Sequence, residues 1–128
     1  MDKKQRGLKA RNDGYAAETV AAWYLRLKGY RILERNFKPP RLSGAGEIDI
    51  IARKRNVIAF VEVKRRKTFD DAAYCIDERT KARRIAGAQY YLSVNGEAAD
   101  LQPRFDAVLI AAGKLPVHLE NAWECESL

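Results

Sequence analysis

Two neighbouring segments, residues 47–52 and 57–64, are the most hydrophobic strand-like stretches of the chain, and they carry Asp49, Glu62 and Lys64. No other feature constrains the fold as much. Alternation with period two places Val57, Ala59, Val61 and Val63 on one face of the second segment and Ile58, Phe60, Glu62 and Lys64 on the other. Both faces begin apolar, so the strand should be covered on both sides, where an ionised carboxylate is costly unless a cation or a site compensates it. The connection Lys54-Arg55-Asn56 is short enough for an antiparallel hairpin, with a two-residue loop at Arg55-Asn56 because Asn tolerates positive φ. If Lys54 faces Val57, then Asp49 lies opposite Glu62 and Glu47 opposite Lys64. A three-residue loop would send Asp49 to the other face.

Two acidic side chains directly opposite repel, and a purely structural sheet avoids the pair unless a network of surface salt bridges absorbs it. A divalent cation removes the objection. Oxygen ligands from Asp49 and Glu62, with a carbonyl such as that of Val63 and several waters, form the hard donor set that Mg²⁺ (or Mn²⁺) prefers. Lys64 would add a positive charge beside the same spot, and metal plus ammonium next to a bound anion suits phosphoryl chemistry.

The chain of 128 residues has room for one domain with one core. Its formal charge of +7 predicts attraction to polyanions, of which nucleic acid is the commonest. No apolar run is long enough to span a bilayer and the N-terminus lacks the apolar core of a secretory signal, so the expected location is the cytoplasm, without membrane attachment. Cys75, Cys125 and the single His118 make neither a disulfide framework nor a zinc set; Cys75 reads as a small packing residue.

Residues 1–11 read as a mobile basic arm and residues 12–128 as the single domain. Residues 13–28 have helical periodicity, with Ala16, Val20, Trp23, Tyr24 and Leu27 on one arc and Gly29 as a stop. Glu18 lies off that arc among Gly14, Ala21, Ala22 and Leu25, and on periodicity alone reads as an exposed helix glutamate. A strand over 30–37 and a Pro/Gly loop over 38–46 lead to the hairpin. Arg65, Arg66 and Lys67 follow Lys64 as a basic cluster, either solvated charge or phosphate contacts. Asp77 can cap a helix over 78–93 whose core-facing stripe is Ala82, Ile85, Ala88 and Leu92. Gln89 falls in this stripe, so it either satisfies core backbone groups or points into the site; Arg79, Lys81, Arg83 and Arg84 line the flanks as a basic surface. Residues 104–111 and 116–119 read as late strands, with Asp106 in a local ion pair with Arg104 or another basic neighbour, or else in an outer contact to the site, and with Leu119 and Trp123 in the core.

The order Asp49, twelve residues, then Glu62-Val63-Lys64 resembles the PD-(D/E)XK nuclease motif. The longer strings 46–52 and 60–64, with Arg35-Asn36, residues 88–92 and 104–106, resemble the YraN-like family, over residues 14–123. A proline before Asp49 is absent, and residues 43–46 are poorer in glycine and basic residues than relatives tend to be. The resemblance implies a restriction-endonuclease-like α/β fold, with a mixed central sheet flanked by helices in the order αβββαββ. It implies a Mg²⁺-dependent endonuclease in which Asp49, Glu62 and the Val63 carbonyl bind metal, Lys64 activates water, Glu18 sits near the metal and Gln89 assists. Arg65, Arg66, Lys67, Lys81 and Arg84 would contact nucleic acid. By analogy with Holliday-junction resolvases the substrate would be branched or single-stranded DNA rather than RNA, and the protein a homodimer. The competing readings are a nucleic-acid-binding module with little or no turnover and an interaction subunit of a DNA-processing assembly.

Overall fold

The computed structural model describes residues 16–67 and 75–123. The basic arm and Cys125 lie outside them. A helix over 16–27 (α1) precedes β1 (Arg31–Phe37), β2 (Ile48–Lys54) and β3 (Val57–Arg66); α2 (Glu78–Val94) and a single 3₁₀ turn (Gly96–Ala98) lead to β4 (Gln102–Ala111) and β5 (Val117–Leu119). The five strands form one sheet in the order β1-β2-β3-β4-β5. All neighbours are antiparallel except β3 and β4, which run parallel across the α2 crossover. This is the mixed α/β architecture expected, in the expected order, and it agrees with a restriction-endonuclease-like fold.

β3 is central and covered on both faces, as its two apolar sides require. Ala59, Val61 and Val63 pack under α1 with Ala21, Ala22, Leu25 and Ile50, while Ile58 and Phe60 pack with α2 residues Ala88 and Tyr91 and with Phe105 and Trp123. Trp123 stacks on Phe105 at 4.1 Å between centroids, a core residue as expected. Leu119 is only half-buried. The hairpin has the two-residue loop, with Lys54 paired to Val57. The left-handed residue in it is Arg55 (φ 56) rather than Asn56, whose carbonyl accepts from the Gln102 amide at 2.7 Å and ties the turn to β4.

Both helices sit differently from their hydrophobic arcs. In α1 the buried residues are Ala17, Ala21, Ala22 and Leu25; Ala16, Val20, Trp23 and Leu27 are exposed. Small side chains let the helix axis approach the sheet, and that close contact outweighs the larger but bulkier arc. Glu18, beside the packed face, is half-buried. In α2, capped by Asp77 accepting from the Thr80 amide at 2.7 Å, the buried positions are Gly87, Ala88 and Tyr91, while Ala82 and Gln89 are exposed. The rotation has a cause: a Cβ on Gly87 would lie 2.4 Å from the Gly46 carbonyl oxygen, so only a glycine can face that loop. Cys75 is exposed, which overturns its reading as a packing residue.

Candidate functional site

The site is built where the sheet loses its alternation. Ile48 and Ile50 are two residues apart and should share a face, yet Ile50 packs under α1 and Ile48 under α2. The paired residues on β1 behave likewise: Arg35 donates to Thr19 of α1 at 3.0 Å, whereas Phe37 joins the α2 cluster. Between them Asn36 takes a left-handed conformation, φ 53, across from Asp49. A strand that twists through one residue in this way re-aims its side chains, the usual consequence of a bulge-like irregularity. Groups from both faces therefore meet at Asp49.

From the α1 side comes Glu18. The Asn36 amide, oriented nitrogen-first, donates to both Glu18 oxygens at 2.8 and 3.0 Å. Burial raises the Glu18 carboxyl above its ordinary value, the nearby Asp49 charge raises it further, Arg35 acts in the opposite sense, and Glu47 adds to the rise. Asp49 accepts from the Val63 amide at 2.8 Å. Its carboxyl is also raised: burial dominates, the Val63 hydrogen bond and Arg84 pull it back, Glu62 pushes it up and Lys64 lowers it. The ladder between β2 and β3 ends at Ile50 and Val61, so neither Asp49 with Glu62 nor Glu47 with Lys64 is a ladder pair, and Asp49 is joined to β3 through its side chain on the Val63 amide. Glu47 lies outside β2 and is exposed.

From the α2 side comes Arg84. Glu62 is 4% exposed, and its Oε1 is shared by Lys64 Nζ at 2.8 Å and Arg84 Nη2 at 3.2 Å. Arg84 Nη1 donates to the Glu47 carbonyl at 3.4 Å, while its Nε is buried without a hydrogen-bond partner. The geometry is set by a backbone joint: the Gly46 amide donates to the Arg83 carbonyl at 2.7 Å. Gly46, Glu47, Asp49, Thr80, Arg83 and Arg84 line a cavity of about 290 Å³ above the joint.

The residues fit a hard, largely hydrated divalent ion. Every donor is an oxygen; burial first, and neighbouring carboxylates after it, raise the Asp49 and Glu18 carboxyls, and a cation beside them would act in the opposite sense. Among the described residues no three His, Cys, Asp or Glu side chains form a cage for an ion.

The structure thus brings together Glu18, Asp49, Glu62, Val63 and Lys64. Gln89 is exposed, so burial no longer argues for a role. Arg65 and Lys67 are exposed and Arg66 half-buried at the end of β3; Lys81 is half-buried and pairs with Glu78 at 3.4 Å. Arg84 is turned inward onto Glu62 instead of lying on a basic flank. Sequence reading missed Asn36 as the partner of Glu18; its signal was an asparagine, which tolerates φ > 0, inside a strand-like run.

The model of the uncharacterised protein family UPF0102 matches residues 17–110, which include the whole site. A UPF0102 protein of Rhodopseudomonas palustris (strain HaA2) is 52% identical over 111 residues, 87% of this chain and 84% of that one. The UPF0102 protein bll0669 of Bradyrhizobium diazoefficiens is 48% identical over 114 residues, covering 89% and 83%. A UPF0102 protein of Nitrobacter winogradskyi is 47% identical over 114 residues, covering 89% and 93%. The chain belongs to the UPF0102 family, the YraN-like family its motifs resemble.

Proposed function

We propose that the protein is a divalent-metal-dependent endonuclease of the PD-(D/E)XK type, hydrolysing phosphodiester bonds of nucleic acid, DNA in preference to RNA. The observation that carries this reading is the convergence of Asp49, Glu62 and Lys64 at one end of β2 and β3, with Lys64 Nζ 2.8 Å from Glu62. Asp49 and Glu62, with the Val63 carbonyl, would hold Mg²⁺ or Mn²⁺, which supplies Lewis acidity toward the phosphodiester when bound. Lys64 orients the attacking water and stabilises charge developing on the phosphate. Glu18, fixed by Asn36, holds a water at the α1 side.

Calorimetric titration with Mn²⁺ should give binding heat for the wild type and none for Glu62→Ala. Cleavage of branched, single-stranded and duplex DNA and of RNA should require the ion and fall at least about a hundredfold in Asp49→Ala and Lys64→Ala. Identical heats for wild type and Glu62→Ala remove the metal site.

One observation favours a second reading, a binding module with little turnover: Glu62 is already neutralised by Lys64 and Arg84 together. That reading predicts salt-sensitive nucleic-acid binding unchanged by Asp49→Ala and indifferent to divalent ions.

A further inference from the structure

Next to the Asp49 cavity, sharing Glu47 and Arg83 with it, runs an open groove of about 820 Å³. One wall is the 38–45 loop, with Lys38, Pro39, Pro40, Arg41 and Leu42; the other is the first turns of α2, with Arg79 and Arg83. The four cations are exposed, and none is ion-paired among the described residues. Like charges facing one another across a groove repel unless an anion lies between them. The groove is also held in place: Gly46, where the loop ends, is hydrogen-bonded to Arg83 and packed against Gly87 with no space for a side chain. Leu42, fully exposed with φ 67, stands on the groove as bare apolar surface, flanked by the stiff Pro39-Pro40 pair.

We propose that this groove is the track for a single strand of nucleic acid leading into the Asp49 cavity, its phosphates lying between Lys38 and Arg41 on the loop and Arg79 and Arg83 on the helix. Cations on both walls match one backbone that can be reached from either side. A duplex carries two backbones about a stacked core and meets such a groove with one of them, from above only. The volume holds a short stretch of one strand. Among the described residues no aromatic side chain lines the groove, so the contacts it offers are mainly to phosphates, with weak sequence preference; Leu42 and the prolines give the bases an apolar rim. The inference rests on the phosphodiesterase reading and adds to it the strandedness of the substrate.

The test is binding in EDTA, which removes cleavage from the measurement. Anisotropy titrations of a labelled oligothymidylate and a blunt duplex of equal length are run at several salt concentrations with the full chain. Lys38→Ala/Arg41→Ala changes two exposed loop residues. Arg31→Ala/Arg53→Ala removes the same charge from exposed positions beside each other on β1 and β2, at the far end of the sheet. Wild type should bind the single strand more tightly than the duplex. The loop variant should weaken single-strand binding about tenfold or more and lower the slope of log K against log salt by about 1.4, two phosphate contacts at about 0.7 each, with a smaller loss in the far-end variant. Equal losses in the two variants, unchanged binding in the loop variant, or duplex preference in the wild type would overturn the proposal. Because the ion is absent, a protein that binds this way but never cleaves refutes the nuclease reading and leaves the groove standing.

Discussion

Asp49 on β2 and Asp106 on β4 are both withdrawn from solvent in one sheet, and their surroundings treat them in opposite ways. Asp106 is saturated: Arg104 donates through Nε at 2.8 Å and Nη2 at 2.7 Å, His118 Nε2 lies at 2.8 Å, and the Asn121 amide donates at 3.0 Å. Lys28 Nζ approaches His118 Nδ1 at 2.6 Å; an ammonium can only donate, so Nδ1 accepts and Nε2–H is the tautomer offered to Asp106. Burial pushes the Asp106 carboxyl up, yet the hydrogen bonds from His118, Arg104 and Asn121 together hold it below its ordinary value. The same bonding holds the Arg104 guanidinium above its ordinary value. Asp49 has one amide, shares its surroundings with Glu62 and Glu18, and is raised. A carboxylate whose lone pairs are filled by its own fold ties strands together. Asp49 is raised first by burial and then by the charge of Glu62, and the single Val63 amide on it does not offset them.

The largest expected effect comes from opening the saturated cluster. Asp106→Ala leaves Arg104 and His118 without their buried anion and should cost about 3–5 kcal/mol in urea unfolding. Asp49→Asn keeps an acceptor for the Val63 amide while deleting a repelled charge, and should be neutral or stabilising by up to about 1 kcal/mol. A comparable loss in both proteins would break the comparison, since Asp49 would then be structural too.

The sequence carried the hairpin, its two-residue loop and the register from Lys54–Val57 to Ile50–Val61, because alternation and loop length are local quantities. It also carried the Arg104–Asp106 pair, two residues apart on one strand face. Illegible was the orientation of both helices. In α1 the arc with Val20, Trp23 and Leu27 is the more hydrophobic, but burial went to the alanine face that can come closest to the sheet. In α2 the face was decided by Gly87 meeting Gly46, a contact across 40 residues that no periodicity records. Glu18 and Arg84 followed from these two orientations, so their places in the site were legible only in part: Glu18 by resemblance, Arg84 as a basic residue whose inward turn onto Glu62 no periodicity records.

A second, smaller effect contrasts the middle of α2 with the turn just beyond its end. Gly87→Ala puts a methyl 2.4 Å from the Gly46 oxygen and should cost about 1–3 kcal/mol while displacing Glu47 and Asp49. Gly96, just beyond the helix, has nothing within 4 Å of its would-be Cβ and no positive φ, so Gly96→Ala should be neutral or stabilise by up to about 1 kcal/mol. Thermal unfolding separates the two, and Mn²⁺ heat should fall in Gly87→Ala alone. Equal heats would mean that the joint does not position the site.

The smallest effect is the pH dependence, to which Asp106 contributes with one sign and Asp49 and Glu18 with the other. Asp106 is lowered, so the unfolded chain binds its proton more readily; its stabilisation is present above the ordinary aspartate range and is lost as pH falls through the folded value. Asp49 and Glu18 are raised, so the folded chain holds their protons more readily; stability falls as pH rises from the ordinary carboxyl range through their raised values. Asp49→Asn/Glu18→Gln should erase that falling limb and leave the acid side intact. A divalent ion competes with those protons, so Mg²⁺ at ten times its Kd should restore about 1.4 kcal/mol above the carboxyl range and nothing below it. In Asp49→Asn/Glu18→Gln the same Mg²⁺ should leave the unfolding midpoint unchanged at every pH. A shift as large as the wild type's would place the ion elsewhere and strip the crowded carboxylates of the role their repulsion implies.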